Sequence, residues 1–283
     1  MIVFLRRKNL GRTSCRGIKR AMKAPGMIIR NDLYEDRVPE NAKMIVRWGC
    51  TGKFNLSNVL NKAESISLVN NKYEFRKTLN EAQLSPKTWF DPEDADIIYP
   101  CIVRPEKHAQ GRRLWLCNNK EELDQVVEKH KQTKLGYQRL YISEYISKIK
   151  EFRVFVGSGR VIWVAEKTPG NPKEIAWNVA KGGKFENVRW MEWDKEVIRT
   201  ALEAFNLTGL DFGGVDVMLD ENGNSYVLEI NSAPSQTSEY RQNCVAKYLD
   251  YIVLFGKEPI PVTTHVGKYL PYIHPCLTKK AIL

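Results

Sequence analysis

The chain reads as an α+β protein of several lobes, on three observations. The first 85 residues have a strand-then-helix texture, short strands with turn signals take over from Ile97, and two later hairpin patterns are separated by a helix. Residues 1–5 form an apolar strand that passes through NLGRTS into a helix from Cys15 to Lys23, with Ser14 as its N-cap. AKMIVRWG is a buried strand over Met44 to Trp48, ending at Gly49. LVNNKYEFRKTLNEAQLSPKTW predicts a helix from Asn71 to Ala82, stopped before Pro86. IIYPCIVRP and RLWLC are strands flanking the polar loop EKHAQGRRL, followed by a charged helix, Lys120 to Lys131, and the strand LYISEYI. EFRVFVGSGRVIWVAEK gives two strands about Gly157-Ser158-Gly159. A helix over Lys195 to Phe205 precedes the second hairpin, residues 213–235, and Ser238 to Phe255 is helical. The last 28 residues carry four prolines and little periodicity, and are expected to wrap or extend. The predicted division is 1–85, 86–148 and 149–283.

Hydrophobic content of 43% with 27% charged residues fits a soluble globular protein, and no run reaches the 18 or so apolar residues of a membrane span. MIVFLRRKN has the wrong order and length for a secretory signal, so a cytoplasmic setting is expected. Six cysteines (15, 50, 101, 117, 244 and 276) lack zinc spacing and read as reduced packing thiols. His108, His130, His265 and His274 are dispersed, and nothing resembles a Ser/His/Asp triad. The net charge of +11 is uneven: the first 31 residues hold nine Lys or Arg and no acid. This basic region is either a solvated face or a site for an acidic substrate or a nucleic acid.

The second hairpin raises the chemical question. With Asn222-Gly223 as a two-residue type I′ loop, Glu221 faces Asn224, Leu219 faces Tyr226, Val217 faces Leu228 and Val215 faces Ile230. On the other face Asp216 lies across from Glu229, with Asn231 pointing the same way. Carboxylates so opposed repel by roughly 3–4 kcal/mol at an effective dielectric near 20. A hard cation such as Mg²⁺ would offset this; a solvated strand face is the alternative. Elsewhere, the loop from Glu106 to Leu114 combines one Gly with two Arg, after Arg104 at a strand end, a weak phosphate-cradle pattern or an ordinary loop. Glu144, Glu151 and Arg153 lie close together in sequence at a strand-linker-strand junction, and Glu151 and Arg153, i and i+2 on a strand, project from one face, either as an ion pair or as ribose and phosphate contacts. WNVAKGGKF offers Asn178 in a Gly-rich turn.

In this order the pieces resemble the ATP-grasp superfamily, and within it the carboxylate-amine ligases such as glutathione synthetase and RimK-type ligases, over about Met44 to Gln236. The resemblance implies two α+β lobes sandwiching a nucleotide after an α/β N-terminal lobe, with ATP and Mg²⁺ as cofactors. It implies Asp216, Glu229 and Asn231 as the magnesium set and Lys72 as the first nucleotide lysine. Arg104 falls where relatives carry the lysine of a VVKP motif, and Gln110, Gly111 and Arg112 fall in the phosphate lid. Glu144 and Ile146 match the adenine hinge and Glu151 the ribose contact, while Arg153, Lys167 and Asn178 match positions lining the triphosphate and acyl phosphate. The activity implied is ATP-dependent amide formation between an acidic carboxylate and an amine through an acyl phosphate. A kinase of the same fold acting on a polyanionic hydroxyl acceptor and a nucleic-acid-binding or modifying protein are the alternatives.

Overall fold

The computed structural model describes residues 1–7, 10–30, 38–52, 58–106, 113–172, 174–177 and 179–257, arranged around three sheets. Gln110, Gly111, Arg112, Asn178, His108 and the Pro-rich tail from residue 258 lie outside the described residues.

The first sheet is parallel, in the order β2-β1-β3-β4, built from β1 (Ile2–Arg6), β2 (Gly26–Arg30), β3 (Met44–Trp48) and β4 (Val59–Leu60). The short β2 was not anticipated in the sequence. Helix α1 (Arg12–Ala21) starts three residues earlier than the sequence predicts, capped by Gly11 at φ 74. Ser14 is therefore not the cap: it turns inward, and its Oγ accepts the Gln236 N–H at 2.9 Å. Cys15 and Ile18 face the core, leaving Arg12, Arg16, Lys19 and Arg20 exposed on the other side.

Two helices follow, α2 (Ala63–Asn70), which the sequence reading missed, and α3 (Lys72–Glu81), with Asn71 accepting the Glu74 N–H between them. The second sheet is antiparallel in the order β5-β8-β6-β7. It comprises β5 (Thr88–Trp89), β6 (Cys101–Pro105), β7 (Trp115–Cys117) and β8 (Leu140–Glu144), with α4 (Lys120–Lys131) against it. The third, also antiparallel, runs β11-β10-β9-β12-β13. Its strands are β9 (Lys148–Gly157), β10 (Arg160–Thr168), β11 (Lys184–Val188), β12 (Phe212–Asp220) and β13 (Ser225–Asn231); α5 (Lys195–Asn206) and α6 (Glu239–Phe255) complete the fold.

Two expectations about the second hairpin are corrected. Asp220 and Asn224 close the loop, so it has three residues, with Gly223 alone left-handed at φ 84. Leu219 accordingly pairs with Ser225 and Val217 with Val227, not with Tyr226 and Leu228. An extra residue at Leu228 then restores the predicted partners, Asp216 with Glu229 and Val215 with Ile230.

Alternation divides the third sheet. Val154, Val156, Val215, Val217, Val227 and Ile230 form one face, packed on α2, α3 and α5. Residues 61–85, grouped by sequence with the first sheet, thus share their core with the third. On the opposite face Phe155, Trp163 and Phe212 meet Trp48 of β3 and the buried side of α6. Farther along that face the residues turn ionic, and there the site begins. Five buried cysteines sit in these cores, where burial pushes the Cys15 and Cys101 thiols up to about 12. Among the described residues no helix is long and apolar enough to cross a membrane.

Candidate active site

A cleft of about 240 Å³ opens between the second and third sheets. The charge in and beside it follows from strand alternation: Glu151 and Arg153 on β9, Lys167 on β10, Asp216 on β12 and Glu229 on β13 all project from the ionic face. Register sets each pair, since Lys167 lies opposite Glu151, Arg153 opposite Asp216 and Asp216 opposite Glu229.

The contacts are short and alternate in sign. Arg153 grips Asp216 bidentately, Nε to Oδ1 at 2.6 Å and Nη2 to Oδ2 at 2.7 Å. Lys167 Nζ donates to Asp216 Oδ2 at 2.8 Å and also to Glu151, which Lys148 meets from the other side. Lys72, at the start of α3, donates to Glu229 Oε2 at 2.7 Å, and Asn231 Nδ2 donates to Glu229 Oε1 at 2.9 Å. The repulsion between Asp216 and Glu229 is therefore offset by protein cations. Burial disfavours the Glu229 carboxylate, but Lys72, the Asn231 amide and Lys167 together hold it well below the usual carboxylate range. Burial would likewise lower Lys167 and Arg153, yet the facing acids keep both above their ordinary values.

The cleft is dense in charge of both signs, with five cations set against Glu144, Glu151, Glu174, Asp216 and Glu229. Arg104, Arg76, Lys148, Lys72 and Lys167 all line it. Burial lowers Arg76 and Lys148, and the Arg104 guanidinium adds to both shifts. Ile146 and Glu144 line the same cleft at the end of β8. The structure thus brings Lys72, Arg104, Glu144, Ile146, Glu151, Lys167, Asp216 and Glu229 around one space. Arg153 and Asn231 touch its members from beside it. Cationic walls over two opposed carboxylates and an amide suit a polyphosphate carrying a hard cation. The donor set fits Mg²⁺ in its chemistry, since all the oxygens are hard; in this structure they are held by Arg153 and Lys167 on Asp216 and by Lys72 and Asn231 on Glu229.

Besides Lys148, three residues at this site were missed in the sequence. Arg76 donates to the carbonyls of Val227 and Leu228, Tyr141 lies beneath it with the ring centroid 5.9 Å away, and Arg241 lies 5.5 Å from both the Trp163 and Phe185 rings. Phe185 also sits under Arg153, at 4.8 Å. A lone arginine within a helix reads as solvent-facing, and only its i+4 spacing from Lys72 could have marked Arg76.

Known proteins resemble this chain in sequence and in fold. Residues 61–252 match the RimK-like ATP-grasp domain. A probable alpha-L-glutamate ligase of Rhodopirellula baltica is 29% identical over 62% of this chain and 44% of its own length, and one of Stutzerimonas stutzeri is 26% identical over 71% and 69%. The chain thus spans less than half of the first of these relatives. Among solved structures, D-alanine–D-alanine ligase from Bacillus anthracis superposes with a TM-score of 0.65 at 14% identity, covering 90% of this chain and 96% of that one. The ATP-grasp ligase PsnB, complexed with a minimal precursor, Mg and ADP, does so with a TM-score of 0.64 at 14% identity, over 91% and 97%. With two thirds of its length matched by the family model, and with the lobes and charged cleft described above, the chain belongs to the RimK-like ATP-grasp family.

Proposed function

We propose that this chain is an ATP-dependent carbon–nitrogen ligase that joins an acidic carboxylate substrate to an amine through an acyl phosphate. The observation that carries the reading is the cleft in which Lys72, Arg104, Lys148 and Lys167 converge about the opposed Asp216 and Glu229. Relatives named as probable alpha-L-glutamate ligases support it.

In this reading Lys72 and Arg104 grip phosphate oxygens, Glu151 accepts from the ribose, and backbone groups of Glu144 and Ile146 meet the base. Asp216, Glu229 and Asn231 hold Mg²⁺, which when bound would neutralise phosphate oxygens and ease departure of ADP. Arg153 and Lys167 face the reacting end, where fixed cations stabilise charge on the transferred phosphoryl group and on the acyl phosphate. Gln110, Gly111, Arg112 and Asn178 keep their family roles as lid and phosphate contacts within this proposal.

The exposed row Arg12, Arg16, Lys19 and Arg20 is assigned to attracting the acidic acceptor. Its contribution should fade with salt, since exposed charges are screened over about 8 Å at physiological ionic strength. The setting proposed is cytoplasmic. The decisive experiment is ADP release with hydroxylamine present: an acyl phosphate yields a hydroxamate, whereas transfer to a hydroxyl yields none. Turnover without hydroxamate would replace the ligase reading with the kinase one.

A further inference from the structure

The bulge at Leu228 decides which way Glu229 points. Near the loop the strands pair Val217 with Val227. Continued without interruption, that register would set Asp216 against Leu228 and Val215 against Glu229. Directly opposed residues of an antiparallel pair share a face. Glu229 would then join Val215, which faces the apolar core beneath α2, α3 and α5. One inserted residue reverses this and brings Glu229 and Asn231 to the cleft.

Something must hold that insertion, because a bulge leaves backbone groups without ladder partners. The Leu228 carbonyl is such a group, the Val227 groups face outward as on any edge strand, and both residues find partners in one segment lying along the free edge of β13. Arg76 Nη1 donates to the Val227 carbonyl at 3.1 Å and Nη2 to the Leu228 carbonyl at 2.5 Å. The Val227 N–H donates to the Leu84 carbonyl at 2.7 Å, and one turn before Arg76 on α3, Lys72 meets Glu229. Arg76 is 6% exposed, so its two donors sit where lost hydrogen bonds are not replaced by water.

We propose that Arg76 is a positioning residue: its guanidinium clamps the bulge at Leu228 and so sets Glu229 and Asn231 on the cleft face opposite Asp216. The metal arm of its test rests on the reading that these three residues hold Mg²⁺; the register arm does not.

The test compares the parent, Arg76→Gln, Arg76→Lys, and Arg76→Gln combined with deletion of Leu228, which removes the residue needing the clamp and leaves Glu229 opposite Asp216. Register is read from a crystal structure or from cross-strand Overhauser effects. Mn²⁺ binding is read by electron paramagnetic resonance with ADP present, and metal-free ADP binding by calorimetry in EDTA. Arg76→Gln should break the Asp216–Glu229 pairing and weaken Mn²⁺ binding about tenfold or more, the size expected for lost charged hydrogen bonds. Metal-free ADP affinity should stay within about twofold, Arg76→Lys should recover part of the loss, and the deletion should restore it.

An unchanged register in Arg76→Gln overturns the proposal. So does a fall in metal-free ADP affinity with Mn²⁺ affinity kept, which would make Arg76 a phosphate ligand. If Arg76→Gln does not fold, deleting Leu228 must rescue folding; failure to do so also overturns it. If the parent itself binds no Mn²⁺, the metal reading fails while the register comparison still decides the role of Arg76.

Discussion

Hairpin β9–β10 turns through Ser158 and Gly159, both left-handed at φ 47 and 68, whereas β12–β13 turns through a longer loop with only Gly223 left-handed. Each then carries one extra residue early in its returning strand, between Val161 and Trp163 in one and at Leu228 in the other. Each bulge flips the alternation, so that Lys167 comes to face Glu151 and Glu229 to face Asp216. The difference lies in what holds them. Ile162 is fully buried beside Trp163 in the apolar core that includes α6, so close packing surrounds this bulge. Leu228 lies at the cleft, where one side must stay open to a ligand, and a charged clamp from α3 takes the place of packing. An irregular strand can be specified by apolar contact in a core, but at the wall of a site it needs a polar partner.

Three variants would break or sharpen that contrast. The largest effect is expected in the clamped hairpin, where Glu229→Gln keeps the shape but removes the charge. Turnover should fall by about a thousandfold or more, as for loss of several kcal/mol of transition-state stabilisation, and activity within about threefold of the parent would contradict the assignment. The same variant carries a pH signature. The Glu229 carboxyl is depressed in the folded state, so its stabilising effect is present above the unfolded value of about 4.3 and is lost as pH falls through the folded value. The stability difference between parent and variant should be flat near neutrality and shrink below about pH 4, by urea titration at stepped pH.

Next comes Lys167→Met in the packed hairpin, which strands Glu151 and Asp216 beside one fewer cation; all three side chains are at most 5% exposed. Removing one partner of so buried a group should cost about 3–5 kcal/mol by denaturant titration. A cost under about 1 kcal/mol would show that Lys148 and Arg153 suffice. The smallest effect is Ile162→Val, worth about 0.5–1.5 kcal/mol of stability with Mn²⁺ and ADP binding unchanged, because packing around the bulge survives one lost methyl.

Much of this was legible in the sequence because alternation and caps are local. β3, α3, α4 and α6 fall within a residue of their predicted limits, and Asp216 was placed opposite Glu229. That last success has a physical irony: Asn222-Gly223 suggested a two-residue loop, the true loop is one residue longer, and the bulge at Leu228 cancels the error. The longer loop does have a local signature, for the Asp220 carboxylate accepts the N–H groups of Asn222 and Asn224 and the Asn224 side-chain amide, whereas the bulge has none, since its partner Arg76 lies far along the chain. Ser14 misled for a similar reason. Its hydroxyl serves Gln236, 222 positions away, so a residue that looks like a cap is instead a tie between α1 and the segment after β13.

The seat of α6 has a consequence for how the molecule opens. One apolar core runs from β1 and β3 through α1 and α6 into β9, β10 and β12, while Trp89, Cys101, Val103, Leu123 and Ile142 of the second sheet and α4 form a separate one. Cooperative units follow shared cores. Amides of α6 and the first sheet should therefore exchange with deuterium only alongside those of the third, at the free energy of the whole. The second sheet can exchange on its own, at lower free energy, so the wall carrying Arg104, Glu144 and Ile146 is the one free to breathe over a nucleotide.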